Sequence, residues 1–149
     1  MREILFRGQT RRKGEKVRMD GSPVESNWVY GGVLKGNGDH SIIYQTEPEI
    51  EKKVVYTDTL GQFTGLTDKN GTKIFEGDIV KFKHGGEFDK KIYYRNYAVE
   101  FINTYVTYGL RLRNGSIHFP FKKATALQHD AEVIGNIYDN PELIGGGDK

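Results

Sequence analysis

The chain has 149 residues, and its 22 Lys and Arg against 20 Asp and Glu leave a net charge of +2, a balance that argues neither for nor against a nucleic-acid partner. Cys is absent, which excludes disulfides, thiolate metal sites and a thiol nucleophile. No apolar run approaches the roughly 20 residues of a membrane span, and the charged start lacks the apolar core of a signal peptide, so a cytoplasmic protein with no membrane partner is expected.

In chain order, Glu3-Ile4-Leu5-Phe6-Arg7 alternates, with Ile4 and Phe6 on one face, and predicts a first strand. A basic loop follows, Arg11-Arg12-Lys13-Gly14-Glu15-Lys16, and residues 1–20 together hold seven Lys or Arg and three Asp or Glu, a local +4. No aromatic residue interleaves with these charges, as a nucleic-acid surface would require, so the loop reads as a solvated hairpin loop. Val17-Arg18-Met19 fits a short partner strand, and Asp20-Gly21-Ser22-Pro23 a turn.

Residues 27–34 predict a strand interrupted by Gly31-Gly32, the mark of a bulge or a close backbone approach. Trp28, within it, is read as a core or barrel-end anchor. Residues 41–45 and 53–56 are further strands, separated by an acidic connector with Glu47, Glu49 and Glu51. His40 beside Asp39 has the composition of half a catalytic dyad, but adjacent residues in a Gly-rich loop rarely point at one another. Asp58-Thr59-Leu60-Gly61 predicts one helical turn, capped by Asp58 and stopped by Gly61.

Residues 62–82 specify their own conformation most clearly. In Asp68-Lys69-Asn70-Gly71, Asp68 can accept a backbone N–H two residues on, and Gly71 can take the left-handed conformation. A type I turn closing into a bulge at Gly71 fits, as does a two-residue Asn70-Gly71 turn; either makes a hairpin. Glu76-Gly77-Asp78 is a second corner, where Gly77 permits a tight bend and Asp78 can accept an N–H at the strand entry. In the strand that follows, Val80 and Phe82 share one face, and Lys81 and Lys83 share the other. Glu76 and Asp78 make no metal or acid–base site, since no His or third acid stands at ligand spacing.

Beyond it, residues 84–91 read as a loop or hairpin tip, and residues 92–102 as a strand with Tyr97, Val99 and Phe101 on one face. Residues 107–113 form a strand with Leu110 and Leu112 inward, and Asn114-Gly115 makes a second hairpin turn. Residues 117–121 form a strand in which Pro120 belongs at an edge or an end. Residues 122–130 have the apolar spacing of a helical turn. Residues 131–138 form the last strand, with a bulge at Gly135, and Asp139-Asn140-Pro141-Glu142-Leu143 a capped turn with Pro141 first. Residues 145–149 have nothing to bury and form a frayed tail. The fold expected is mainly β, with antiparallel strands, tight turns and one or two helical turns. An N-terminal β subdomain spans residues 1–61, and a C-terminal subdomain of SH3-like barrel type spans residues 62–144.

The run T-G-L-T-D-K-N-G-T-K-I-F-E-G-D-I-V resembles the signature of the YopX family of bacteriophage and prophage proteins. Met1-Arg2-Glu3-Ile4-Leu5-Phe6-Arg7 looks like that family's opening, and Val133-Ile134-Gly135-Asn136-Ile137-Tyr138-Asp139-Asn140-Pro141-Glu142-Leu143 like its closing segment. The resemblance spans essentially the whole chain. It implies a mobile-element origin, a bacterial host and a largely β fold, and it brings no catalytic residues or cofactor.

Catalytic patterns are missing. His40, His84, His118 and His129 share no metal-ligand spacing, and no G-x-S-x-G elbow is present. A non-enzymatic module without cofactor or metal is therefore expected. Its first reading is a protein-binding or self-assembly module whose groove uses Tyr93, Tyr94, Tyr105, Tyr108 and Phe119. The second is a nucleic-acid-binding protein of phage replication or regulation, using Arg11, Arg12, Lys13, Lys90, Lys91, Lys122 and Lys123. Catalysis, the third, would need a pocket joining one of the histidines to Asp39, Glu76 or Asp78.

Overall fold

The structure is a computed structural model that describes residues 4–10, 28–34, 36, 38–45, 48–86, 91–102, 107–111, 117–120 and 129–145, with the backbone alone at 102, 107–108, 117–120 and 145. It is mainly β, as its turn-rich, aromatic-rich sequence predicts. Eleven described strands form two antiparallel sheets: β1 (Phe6–Gln9), β2 (Trp28–Leu34), β3 (His40–Gln45), β4 (Glu51–Tyr56), β5 (Gly61–Thr67), β6 (Lys73–Phe75), β7 (Asp78–His84), β8 (Tyr93–Ile102), β9 (Thr107–Arg111), β10 (Ile117–Pro120) and β11 (Ala131–Asn136). The first sheet runs β4-β3-β2-β1-β5-β6 and the second β10-β9-β8-β7-β11. Two compact units divide inside β5, between Phe63 and Thr64. No helix among the described residues is long and apolar enough to cross a membrane.

In the first unit, β1 begins at Phe6 rather than Glu3, and Ile4 lies outside it, 74% exposed. Phe6 pairs with Gly31 and with Gln62, so β1 is held from both sides. The Gly31-Gly32 pair marks a close backbone approach: the pairing to β1 reaches Gly31, the pairing to β3 begins at Gly32, and a Cβ on Gly31 would run into the Tyr44 carbonyl. Ile43, Val55 and Phe63 are buried. Polar groups beside them are paired internally: Thr59 Oγ1 accepts the Gln9 N–H at 2.9 Å and donates to the Tyr56 carbonyl at 2.7 Å. The helical turn before β5 is a 3-10 turn over Thr57–Thr59, one residue earlier than predicted. Asp58 sits inside it, and Tyr56 takes the N-cap position, with no side-chain cap bond. Trp28 is half-buried and carries the Arg7 guanidinium 4.4 Å from its ring centroid.

The second unit holds the larger core: Ile74, Val80, Phe82, Tyr97, Val99, Leu110 and Ala131, with Leu66 and Val133 packed on it. The strand period explains the set. Val80 pairs with Tyr97, Val99 with Leu110, and Phe82 with Ala131, so inward residues meet across four strands. The hairpin turn is the type I turn with a Gly bulge: Gly71 N–H donates to the Asp68 carbonyl at 3.1 Å, and Gly71 has φ +81. Asp78 is buried and accepts the Phe75 N–H at 2.7 Å, which closes the corner before β7.

Last in the chain, β11 returns to β7, with a register shift between Val133 and Gly135 that makes the expected bulge. Pro141 immediately precedes helix α1 (Glu142–Gly145), whose Leu143 carbonyl accepts a bond from Asn96 Nδ2 at 2.8 Å. Among the described residues the SH3-like barrel does not close. β11 takes the free side of β7 and leaves itself and β10, which ends at Pro120, as the two outer strands of an open sheet. Pro120 has no N–H to offer a ladder, which suits the end of an outer strand.

Candidate binding surface on the β7–β8 ribbon

The last β11 partner of β7 is Ala131, opposite Phe82. Beyond it β7 continues through Lys83 and His84, which pair with Tyr94 and Tyr93 of β8. Side chains alternate along both strands, so this two-stranded ribbon has two chemically distinct faces.

On the core-side face the rings form a column. His84 stacks on Tyr93 with centroids 4.9 Å apart and 14° between planes, and the Arg95 guanidinium lies 5.7 Å from the Tyr93 centroid. Behind them His84 Nε2 and the buried Tyr97 hydroxyl are 2.8 Å apart. Tyr93 remains 48% exposed, so the column ends in solvent.

On the opposite face is a groove of about 200 Å³ lined by Lys69, Lys81, Lys83, Tyr94, His129, Asp130 and Glu132. The elements that build it are held firmly. Lys69 N–H donates to the Ala131 carbonyl at 3.0 Å, which seats the hairpin turn against β11. Glu132 pairs with Lys81 in the β11–β7 register, and Asn70 Nδ2 reaches its carboxylate at 3.4 Å. His129 and Asp130 are the helical residues that lead into β11. Lys81 Nζ lies 4.9 Å from the Tyr94 ring centroid, a cation–π contact, and Tyr94 is 54% exposed. Among the described residues, no ion pair to a carboxylate engages Lys69, Lys81 or Lys83.

The aromatic residues expected to share one groove are thus divided. Tyr93 and Tyr94 are neighbours in sequence and project from opposite faces of β8. Tyr105 lies outside the described residues, as do the side chains of Tyr108 and Phe119. Arg11, Arg12, Lys13, Lys90, Lys122 and Lys123 also lie outside them, and Lys91 is exposed. Lys81 and Lys83 were legible only as the outward side of a strand; the register to Tyr94 and Glu132 is what makes them part of a surface. The groups named for an acid–histidine pocket have other neighbours in the structure. Asp78 is engaged by Phe75, His84 by Tyr97, and His40 lies against Tyr56 with centroids 5.0 Å apart. Among the described residues, no three His, Asp or Glu come together in a way that could hold a metal ion.

A crystal structure of protein EF1440 from Enterococcus faecalis is similar in fold, with 19% identity, a TM-score of 0.53, and coverage of 97% of this chain and 99% of that one. A search of curated proteins found no match. The sequence model of the YopX protein family matches residues 8–145. By that match, which takes in the Asp68 turn, the ribbon and the closing strand, the chain belongs to the YopX family.

Proposed function

We propose that this YopX family member is a non-enzymatic binding module, carried by a phage or prophage and acting in the host cytoplasm, whose working surface is the β7–β8 ribbon. What supports the reading is the interleaving of cations with exposed rings on both ribbon faces: Arg95, Tyr93 and His84 on one, and Lys81, Lys83 and Tyr94 on the other. Half-exposed Tyr beside Arg is the composition of interface hot spots. The groove is also small. At about 200 Å³ it falls below the roughly 300–1,000 Å³ of pockets that enclose a whole small molecule, so it suits one part of a longer ligand.

The first test is light scattering after size exclusion, over a range of protein concentrations and with a mixed pool of short DNA and RNA at low salt. The expected result is a mass increase that the double variant Tyr93→Ala/Tyr94→Ala loses while still unfolding in one cooperative transition. A mass increase that survives the double substitution overturns the ribbon as the working surface.

A further inference from the structure

The groove on the Tyr94 face points to a particular ligand chemistry, and this inference rests on the ribbon being the binding surface. We propose that it takes a single strand of nucleic acid, with phosphates at Lys69, Lys81 and Lys83 and one base against the Tyr94 ring. Three features argue together for it. First, three ammonium groups line one groove with no described carboxylate in ion-pair contact, so their charge is available to an anion. Second, the Tyr94 ring is more than half exposed beside them, held in place by Lys81 at 4.9 Å. An aromatic face next to lysines is how proteins bind single strands, because every base offers a π-face only when unpaired. Third, Asp130 and Glu132 line the same groove. Carboxylates repel a bare inorganic anion, yet they accept hydrogen bonds from the N–H and NH₂ groups on base edges. Cations, ring and acceptors match the phosphates of a single strand and the face and edge of one of its bases.

A duplex hides the base face and the Watson–Crick edge, so it satisfies only the lysines. A second copy of this chain would use the ribbon without phosphate. The two alternatives therefore give different results in one experiment.

The experiment is fluorescence anisotropy with a labelled single-stranded dT 12-mer and a matched 12-base-pair duplex, on the full chain, across a salt series. Single-strand binding tighter than duplex binding is expected. Log affinity should fall against log salt with a slope of about −2, from about 0.7 per phosphate contact at three lysines. Tyr94→Ala should weaken binding by about 5- to 150-fold, the range for losing one stacked base, and Tyr94→Phe should restore it. Lys83→Ala should make the slope shallower by about 0.7. Equal or tighter duplex binding, no single-strand binding at low salt, or an unchanged affinity in Tyr94→Ala overturns the inference. Concentration-dependent self-association that Tyr94→Ala abolishes, without oligonucleotide binding, overturns it while leaving the ribbon as the working surface. Oligonucleotide binding indifferent to every ribbon substitution overturns both.

Discussion

The Asp68 carboxylate accepts the Val133 N–H at 2.8 Å, a bond between a tight turn and a strand 65 positions away. Its other oxygen accepts the N–H groups of Asn70 and Thr72, each at 2.9 Å, and the residue is only 3% exposed. One side chain thus shapes the turn and fastens it to β11. Asp68→Ala leaves three N–H groups without this acceptor and should cost about 3–5 kcal/mol, since bonds to a charged group contribute roughly 1.5–3 kcal/mol each and are not additive. Asp68→Asn keeps one acceptor oxygen and should cost less, about 1–3 kcal/mol. Urea unfolding measures both, and equal losses would show that the charge and the second oxygen are immaterial.

Two corner glycines separate backbone strain from steric conflict. Gly71 has φ +81 with open space where a Cβ would go, so Gly71→Ala should cost about 1–2 kcal/mol, the left-handed penalty alone. Gly77 has φ +92, and a Cβ there would stand 3.0 Å from the Tyr138 ring. Its N–H donates to the Val99 carbonyl at 2.9 Å and its carbonyl accepts from Ile137, so the corner cannot shift freely. Gly77→Ala should cost about 2–4 kcal/mol, adding overpacking to strain. Equal losses for the two variants, measured by denaturant, would refute the Tyr138 contribution.

Close packing of the first unit makes a parallel prediction at Gly31. A Cβ there meets Tyr44 backbone rather than a flexible side chain, so relief requires β2 and β3 to separate. Gly31→Ala should destabilise by about 1–3 kcal/mol. Hydrogen exchange should show faster opening of amides in β2 and β3 than in β7 and β8; a uniform change would contradict this local account.

The Tyr97–His84 contact supports the ribbon from the core side. Tyr97→Phe removes one hydroxyl and should cost about 0.5–1.5 kcal/mol. His84→Ala also removes the ring stacked on Tyr93, and should cost more. A double-mutant cycle should give a coupling of about 1 kcal/mol, and a value near zero would mean that the 2.8 Å contact contributes nothing to stability.

Local chemistry explains what could be read from the sequence. The Asp68 turn, the Asp78 corner and the Gly135 bulge are set by residues within a few positions of one another, and period-two alternation put Val80 with Phe82 on one face, Tyr97 with Val99 and Phe101 on another, and Leu110 inward; of these, Phe101 alone is exposed. The bond from Asp68 to Val133 was invisible, because nothing in a turn motif names its distant partner. Alternation alone also separates Tyr93 from Tyr94, which the aromatic groove expected of a barrel had put together. The surface that does form joins Lys69 from a turn, Lys81 and Lys83 from β7, Tyr94 from β8 and Glu132 from β11. Only strand register brings those together. The one-residue offset of the 3-10 turn has a similar cause: Thr59, inside the turn, bonds Gln9, which lies far upstream and which a local capping pattern does not name.

The strand order of the second sheet has a consequence for synthesis on the ribosome. β7 pairs with β8, made soon after it, and with β11, made last of the described strands. At roughly 5–20 residues per second, one flank of β7 waits seconds for its partner, with unpaired N–H and C=O groups beside Val80 and Phe82. Such an edge can recruit a neighbouring nascent chain. Lys81 and Lys83 project from that same strand, so their charge guards against aggregation before it can serve a ligand, and neutralising both should lower soluble yield even where the finished protein is stable.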